Sequence, residues 1–152
     1  MNIQQKTGMQ GVYLVAAELT YKGFIVSVTS RSAFGADLLA TDQSCKKAWS
    51  VQVKTNKQTA TFWLLNKHAK ELISDSHVYV FVNLKGNERP EYHVVRSEEV
   101  ANAVCVETTP SGVWYSFDRR SLANPKAERW EIFENPKGEP ESEPDPSAGA
   151  TD

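Results

Sequence analysis

The run His77-Val-Tyr-Val-Phe-Val-Asn-Leu84 constrains this chain more than any other stretch. It is almost continuously apolar and rich in β-branched and aromatic residues, as expected of a strand buried on both faces in the middle of a sheet. Such a strand needs paired neighbours on either side and a covering layer above and below. The 152 residues, 40% hydrophobic with four Trp and six Phe, can bury one such core but fall short of two domains.

The flanking segments supply the partners. Residues 9–22 place Val12, Val15, Ala16 and Leu19 on one helical stripe, with Gly23 as the stop. Phe24, Val26 and Val28 alternate with Ile25, Ser27 and Thr29 as a strand, and Ser30-Arg31-Ser32 is a polar loop. An apolar stretch from Phe34 to Thr41 is interrupted by a single acid, Asp37; a turn over Thr41 to Lys47 leads to a strand over Ala48 to Lys54. Thr61 to Leu65 reads as a strand, Lys67 to Ser74 as a helix, and Gly86-Asn87 as a turn before a strand over Tyr92 to Val95. Ser97 is the expected N-cap of a helix through Val104, with Glu98 and Glu99 in its first turn. The aromatic segments 113–117 and 129–133 are expected to close the core through Trp114 and Trp130, and Trp49 and Trp63 to pack beneath the sheet. This order predicts an α/β class of α+β sandwich type, a mixed central sheet flanked by helices, over residues 1–135.

Charge and composition narrow the setting. Residues 134–152 carry six acids against Lys137, a local −5, so the chain's net −2 leaves +3 on the body. That balance permits a nucleic-acid partner. Residues 136–152 contain no aromatic residue and read as a disordered acidic tail. No apolar run reaches membrane-spanning length and the N-terminus lacks a secretory pattern, so a soluble cytoplasmic protein is expected. Cys45 and Cys105 have no metal-ligand spacing and read as reduced, buried structural thiols. His68, His77 and His93 show no mutual spacing for chemistry and are expected at element edges, and no phosphate-cradling glycine loop is present.

Asp37 is the first residue that asks for a functional reading, because a carboxylate among Phe34, Leu38 and Leu39 is costly to bury without a cation. Gln52 and Lys54 stand two apart on one strand and share a face, while Val51 and Val53 share the other. An antiparallel pairing through the 41–47 turn brings Asp37 beside them. One carboxylate, one amide oxygen, the Val53 backbone carbonyl and an amine suit a hard divalent ion and a phosphodiester. Lys46, Lys47, Lys57, Lys67, Lys70 and Arg31 are candidates for a phosphate track.

The stretch Gly35-Ala-Asp37-Leu-Leu-Ala, then Val51-Gln-Val-Lys54-Thr, behind the helix Gly11-Val-Tyr-Leu-Val-Ala-Ala-Glu18-Leu, resembles the core of the PD-(D/E)XK nuclease superfamily. It is most similar to branches with Gln in the acidic slot, such as Mrr-type restriction endonucleases and small bacterial proteins. The resemblance implies a restriction-endonuclease-like fold, Mg²⁺- or Mn²⁺-dependent endonucleolytic cleavage of DNA, and Asp37, Gln52, Lys54 and a helix acid as site residues. Relatives commonly carry a Glu early in the helix, where this chain has Val12 and Tyr13; Glu18 is the candidate replacement, giving Asp37, Gln52, Val53 and Glu18 as expected metal ligands. A homodimer would be natural for cutting both strands. Two other readings stand beside the nuclease: a catalytically silent module of the same fold that binds nucleic acid or a partner protein, and a small inhibitor acting through its acidic tail.

Overall fold

A computed structural model of the chain describes residues 1–30 and 34–134; Arg31 and the 136–152 tail lie outside them. Helix α1 (Ile3–Tyr21) is followed by strands β1 (Ile25–Val28), β2 (Leu38–Thr41), β3 (Ala48–Asn56), β4 (Phe62–Leu65), β5 (His77–Lys85) and β6 (Glu88–Arg96). Helix α2 (Ser97–Ala103) and the hairpin β7 (Cys105–Thr109) and β8 (Gly112–Asp118) come next, and 3-10 turns cover Lys67–Lys70, Arg119–Ser121 and Trp130–Phe133.

The central sheet runs in the order β1-β2-β3-β5-β6. It is mixed: β3 and β5 are parallel and every other pair is antiparallel. β5 is buried at eight of its nine positions, the interior strand expected from its sequence. Val78, Val80 and Val82 face α1, where Val12, Val15 and Leu19 meet them, together with Trp130 and Phe133 from the C-terminal segment. Tyr79 and Phe81 face the other way, against Trp63, Phe117 and Val100. There Phe81 and Phe117 stack with ring centroids 4.6 Å apart, an arrangement that adds about 0.5–1.5 kcal/mol to simple area burial.

That second face is covered by more than a helix. β4, β8 and β7 form a separate three-stranded sheet, which the sequence pattern does not reveal because β7 is exposed at four of its five positions and shows no buried alternation. Trp114 consequently lies on the outer side, 47% exposed, rather than in the core, while Trp130, Trp49 and Trp63 are buried as expected. Both cysteines are exposed, not buried. His77 stands at the first position of β5, the strand edge expected of it, whereas His93 lies within β6; both are buried.

Three boundaries differ from expectation for identifiable reasons. α1 starts at Ile3 instead of residue 9, because Asn2 caps it: the Asn2 side chain accepts from the Gln5 N–H at 2.8 Å and Gln5 Oε1 accepts from the Asn2 N–H at 3.1 Å. Its first turns bury Thr7 and Gly11, small residues that no hydrophobic periodicity reports. Of Lys67 to Ser74 only Lys67–Lys70 is helical, as a 3-10 turn, and Ser74 is bonded to Ser97 of α2. Ser97 is not the cap of α2 but its first residue: fully buried, it donates from Oγ to the Ser74 carbonyl at 2.8 Å and accepts from the Ser74 N–H at 2.9 Å. Ser97→Ala leaves both Ser74 backbone groups without this partner, and is expected to lower unfolding free energy by about 1–3 kcal/mol in denaturant titration, against about 1 kcal/mol for loss of an exposed cap.

Candidate active site

The open end of the β2–β3 hairpin holds Asp37, one residue before β2. Its N–H donates to the Val51 carbonyl at 2.8 Å, its carbonyl accepts from the Thr29 N–H at 3.0 Å, and its Oδ2 accepts from the Val53 N–H at 2.8 Å. The carboxylate thus takes the place of a ladder carbonyl, which orients it on β3 without neutralising it. Among the described residues Oδ1 makes no hydrogen bond, and Asp37 borders an open cleft of about 340 Å³ with Gln5, Gly8, Met9, Val12 and Val53. The Val53 carbonyl leaves the strand on the same side as its N–H, toward Asp37.

Gln52 and Lys54 pair with Tyr79 and Phe81 in the parallel register and share their face, whereas Val51 and Val53 share the α1 face. Both polar side chains are half-buried. Burial lowers the Lys54 ammonium's pKa, and the Asp37 carboxylate acts in the opposite direction, which identifies Asp37 as the charge that acts on Lys54. Among the described residues no carboxylate is in ion-pair contact with Lys54.

Glu18 does not join this group. It lies ten residues beyond Gly8, about 15 Å along the helix, and its Oε1 is 3.6 Å from Arg89 at the other edge of the sheet. The α1 side chains that do border Asp37 are Gln5, Met9 and Val12. Sequence reading passed over Gln5 because it began the helix too late; the Asn2-x-x-Gln5 spacing is the signal that would have included it.

The basic residues separate into two sets. Gly35 has φ +72, and a Cβ there would come within 2.9 Å of Leu72, while Phe34 packs edge-on against His68 at 5.0 Å. The loop entering Asp37 therefore rests on the 67–72 segment, whose Lys67 and Lys70 line a separate pocket with Val106 and Tyr115, while Lys57 follows the end of β3. Lys46 and Lys47 belong to the closed end of the hairpin, seven residues or more from Lys54 and so about 23 Å away along the strand. They do not extend the site, and instead their N–H groups cap Asp42 at 2.9 and 3.0 Å.

The cleft that Asp37 borders includes Val53 and α1 residues but neither Gln52 nor Lys54, whose side chains share the opposite face, so it is the chemistry of the donors and not a shared point that suits a hard divalent ion. Asp37, the Gln52 amide and the Val53 carbonyl offer oxygen only and a single negative charge, which matches the habit of Mg²⁺ to keep most of its waters and take one or two carboxylates. Among the described residues no three His, Cys, Asp or Glu side chains converge on one point.

No protein-family model matches the chain, and no curated protein does. Among solved structures it is similar to Hjc, a Holliday junction resolvase from the archaeal hyperthermophile Archaeoglobus fulgidus, at 13% identity and a TM-score of 0.46, over 75% of this chain and 85% of that one. No helix among the described residues is long and apolar enough to cross a membrane.

Proposed function

We propose that the chain is a metal-dependent DNA endonuclease of the PD-(D/E)XK type, in its Gln-bearing, Mrr-like branch, with Asp37, Gln52 and Lys54 at the reacting phosphate. The observation that carries this reading is Lys54: a half-buried amine with lowered proton affinity, unpaired among the described residues, beside a carboxylate held in place by the Val53 N–H. An amine kept out of water at such cost serves chemistry better than stability.

Asp37, the Gln52 amide and the Val53 carbonyl would hold Mg²⁺ or Mn²⁺. When bound, the ion supplies positive charge to the phosphate and acidifies water. Lys54 donates to the phosphate oxygen on which negative charge grows, and its lowered proton affinity favours exchange of a proton with the attacking water. Asp37 opposes complete deprotonation of Lys54 and so keeps the pair poised. Lys57, Lys67 and Lys70 attract the DNA backbone, and cleavage of both strands of a duplex would engage two copies of the chain.

Purified protein incubated with supercoiled, linear and branched DNA plus Mg²⁺ or Mn²⁺ tests the reading directly. Divalent-dependent cleavage is expected in the native chain and not after Asp37→Ala. Cleavage that persists in both Asp37→Ala and Lys54→Ala would remove the site from consideration.

A second reading, a silent module that binds nucleic acid or a partner without cutting, draws on one observation: Val12, not an acid, borders Asp37 from the helix. Calorimetry separates the two. Gln52→Glu adds a second carboxylate and is expected to tighten Mn²⁺ binding by about tenfold, equivalent to about 1.4 kcal/mol. A silent module would show no Asp37-dependent heat in either form.

A further inference from the structure

The two edges of the central sheet are finished differently. β6 carries Glu88, Arg89, Pro90 and Glu91, and the Val94 N–H donates to the Glu128 carbonyl at 3.1 Å, so charge, a proline and a covering segment close that side. β1, at the other end, is short but has none of these. Phe24-Ile-Val-Ser-Val-Thr-Ser30 contains no charge and no proline, and its register with β2 runs without a shift. Thr29 donates its N–H to the Asp37 carbonyl at 3.0 Å, so alternation turns the backbone groups of Ile25, Ser27 and Thr29 toward β2 and those of Val26 and Val28 outward. Among the described residues no backbone group meets Val26 or Val28 from the open side.

The surface beside this edge is apolar as well. Ile25 is 50% exposed and Val28 42%, and Leu39, which pairs with Ser27 and shares its face, is 51% exposed. The small second sheet rests on Tyr79 and Phe81 of β5 and does not shelter Leu39. Unpaired ladder groups on an uncharged, exposed strand are a template for another strand. Charge and symmetry indicate which one. Antiparallel pairing about Ser27 sets Val26 opposite Val28 of a second copy, and Val28 opposite Val26 of that copy. Each outward N–H then meets an outward carbonyl, and no like charges face each other along β1. Residues 136–152 of the same chain lack that fit, because Pro136, Pro140, Pro144 and Pro146 have no N–H to give.

We propose that β1 is a docking edge for β1 of a second copy of this chain, which joins the two five-stranded sheets into one across a two-fold axis. The axis of such a pair stands perpendicular to the sheet, so each face stays on its own side. Ser27, Leu39, Ser50, Gln52 and Lys54 share one face through the register of β1, β2 and β3, and both copies therefore present Gln52 and Lys54 in the same direction. The pairing itself does not rest on the nuclease reading; only its consequence does, that two cutting sites address one duplex. A contact four residues long is small beside stable interfaces, so a reversible, concentration-dependent pair is expected.

In this register the two Ser27 residues meet on the axis as a non-hydrogen-bonded pair, whose Cα atoms stand about 4.5 Å apart, within reach of a disulfide. Ser27→Cys in a Cys45→Ser/Cys105→Ser background, which removes both exposed native thiols, is expected to cross-link into a dimer when treated with diamide. Ser111→Cys in the same background, exposed at the turn between β7 and β8, is the control and is not. Sedimentation of the native chain should show its mass rising toward twice the monomer with concentration. Ser27→Lys sets two like charges across the axis and is expected to weaken association by about tenfold or more, with melting unchanged because the side chain is exposed. A native chain that stays monomeric overturns the proposal, as do cross-linking of Ser27→Cys no better than that of Ser111→Cys and a dimer that Ser27→Lys leaves intact. Dimerisation without DNA cleavage upholds this assignment and counts against the nuclease reading; cleavage by a strict monomer does the reverse.

Discussion

Lys54→Met is expected to reduce divalent-dependent DNA cleavage by about 10²–10⁴-fold and, in the same protein, to leave the melting temperature unchanged or higher. The two effects have one cause. Burial lowers the pKa of Lys54 below its ordinary 10.5, so folding disfavours the charged amine; Asp37 offsets this only in part. The unfolded chain therefore binds this proton more tightly than the folded one. The sign follows: the cost is fully present below the folded pKa and is relieved as pH rises through it toward 10.5. An apolar side chain of similar length removes the cost, and the stabilisation it brings should fade in alkaline buffer. Melting curves of native and Lys54→Met protein at neutral pH and near pH 10, alongside cleavage assays, check both halves. A variant that loses stability in step with activity would identify Lys54 as a structural cation instead.

Gly11→Ala should be the most damaging single methyl in the molecule. A Cβ at Gly11 would lie 1.8 Å from Thr55 Oγ1 and 2.9 Å from Thr55 Cβ, distances that no rotation about one bond can relieve on both atoms. α1 would have to lift from β3, opening the helix face on which Val12 and Val15 pack. Overpacking of this kind costs about 1–3 kcal/mol, which for a domain of this size is a fall in Tm of several degrees or more. Because β3 also carries Gln52 and Lys54, activity should fall with stability, in contrast to Lys54→Met. The double variant Gly11→Ala/Thr55→Ala removes Oγ1 and Cγ2, leaving only the Cβ contact at 2.9 Å, and is expected to recover at least half the loss. Thr55 Oγ1 is buried without a partner, so its removal alone should cost little. Failure of the second change to rescue the first would mean that the helix is limited at another contact.

These expectations rest on features that were legible to different degrees. The apolar run at 77–84 declared the interior strand, and the two-residue spacing of Gln52 and Lys54 put both on one face; the parallel register with Tyr79 and Phe81 agrees. Asp37 was legible as an acid in an apolar context, but not that its carboxylate would stand in the β-ladder and accept from Val53. Glu18 was a reasonable substitute by sequence distance, yet helical rise carries it to Arg89 and away from the cleft. Lys46 and Lys47 looked close to Lys54 in the chain and are remote from it, because an extended strand spends its length in one direction.

What the sequence determined by itself was whatever depends on local periodicity and composition: the buried strand, the helix stripe, the hairpin turn and the shared face of Gln52 and Lys54. Only the tertiary structure decided which end of the hairpin collects the charges, that a small second sheet covers the face opposite α1, and that β1 is left with an open edge. The division has a physical reason. Side-chain direction is set by the pitch of the residue's own helix or strand, whereas partners across a sheet are set by the contacts of segments distant in the chain, and polar strands such as β7 carry no periodic mark of where they will pair.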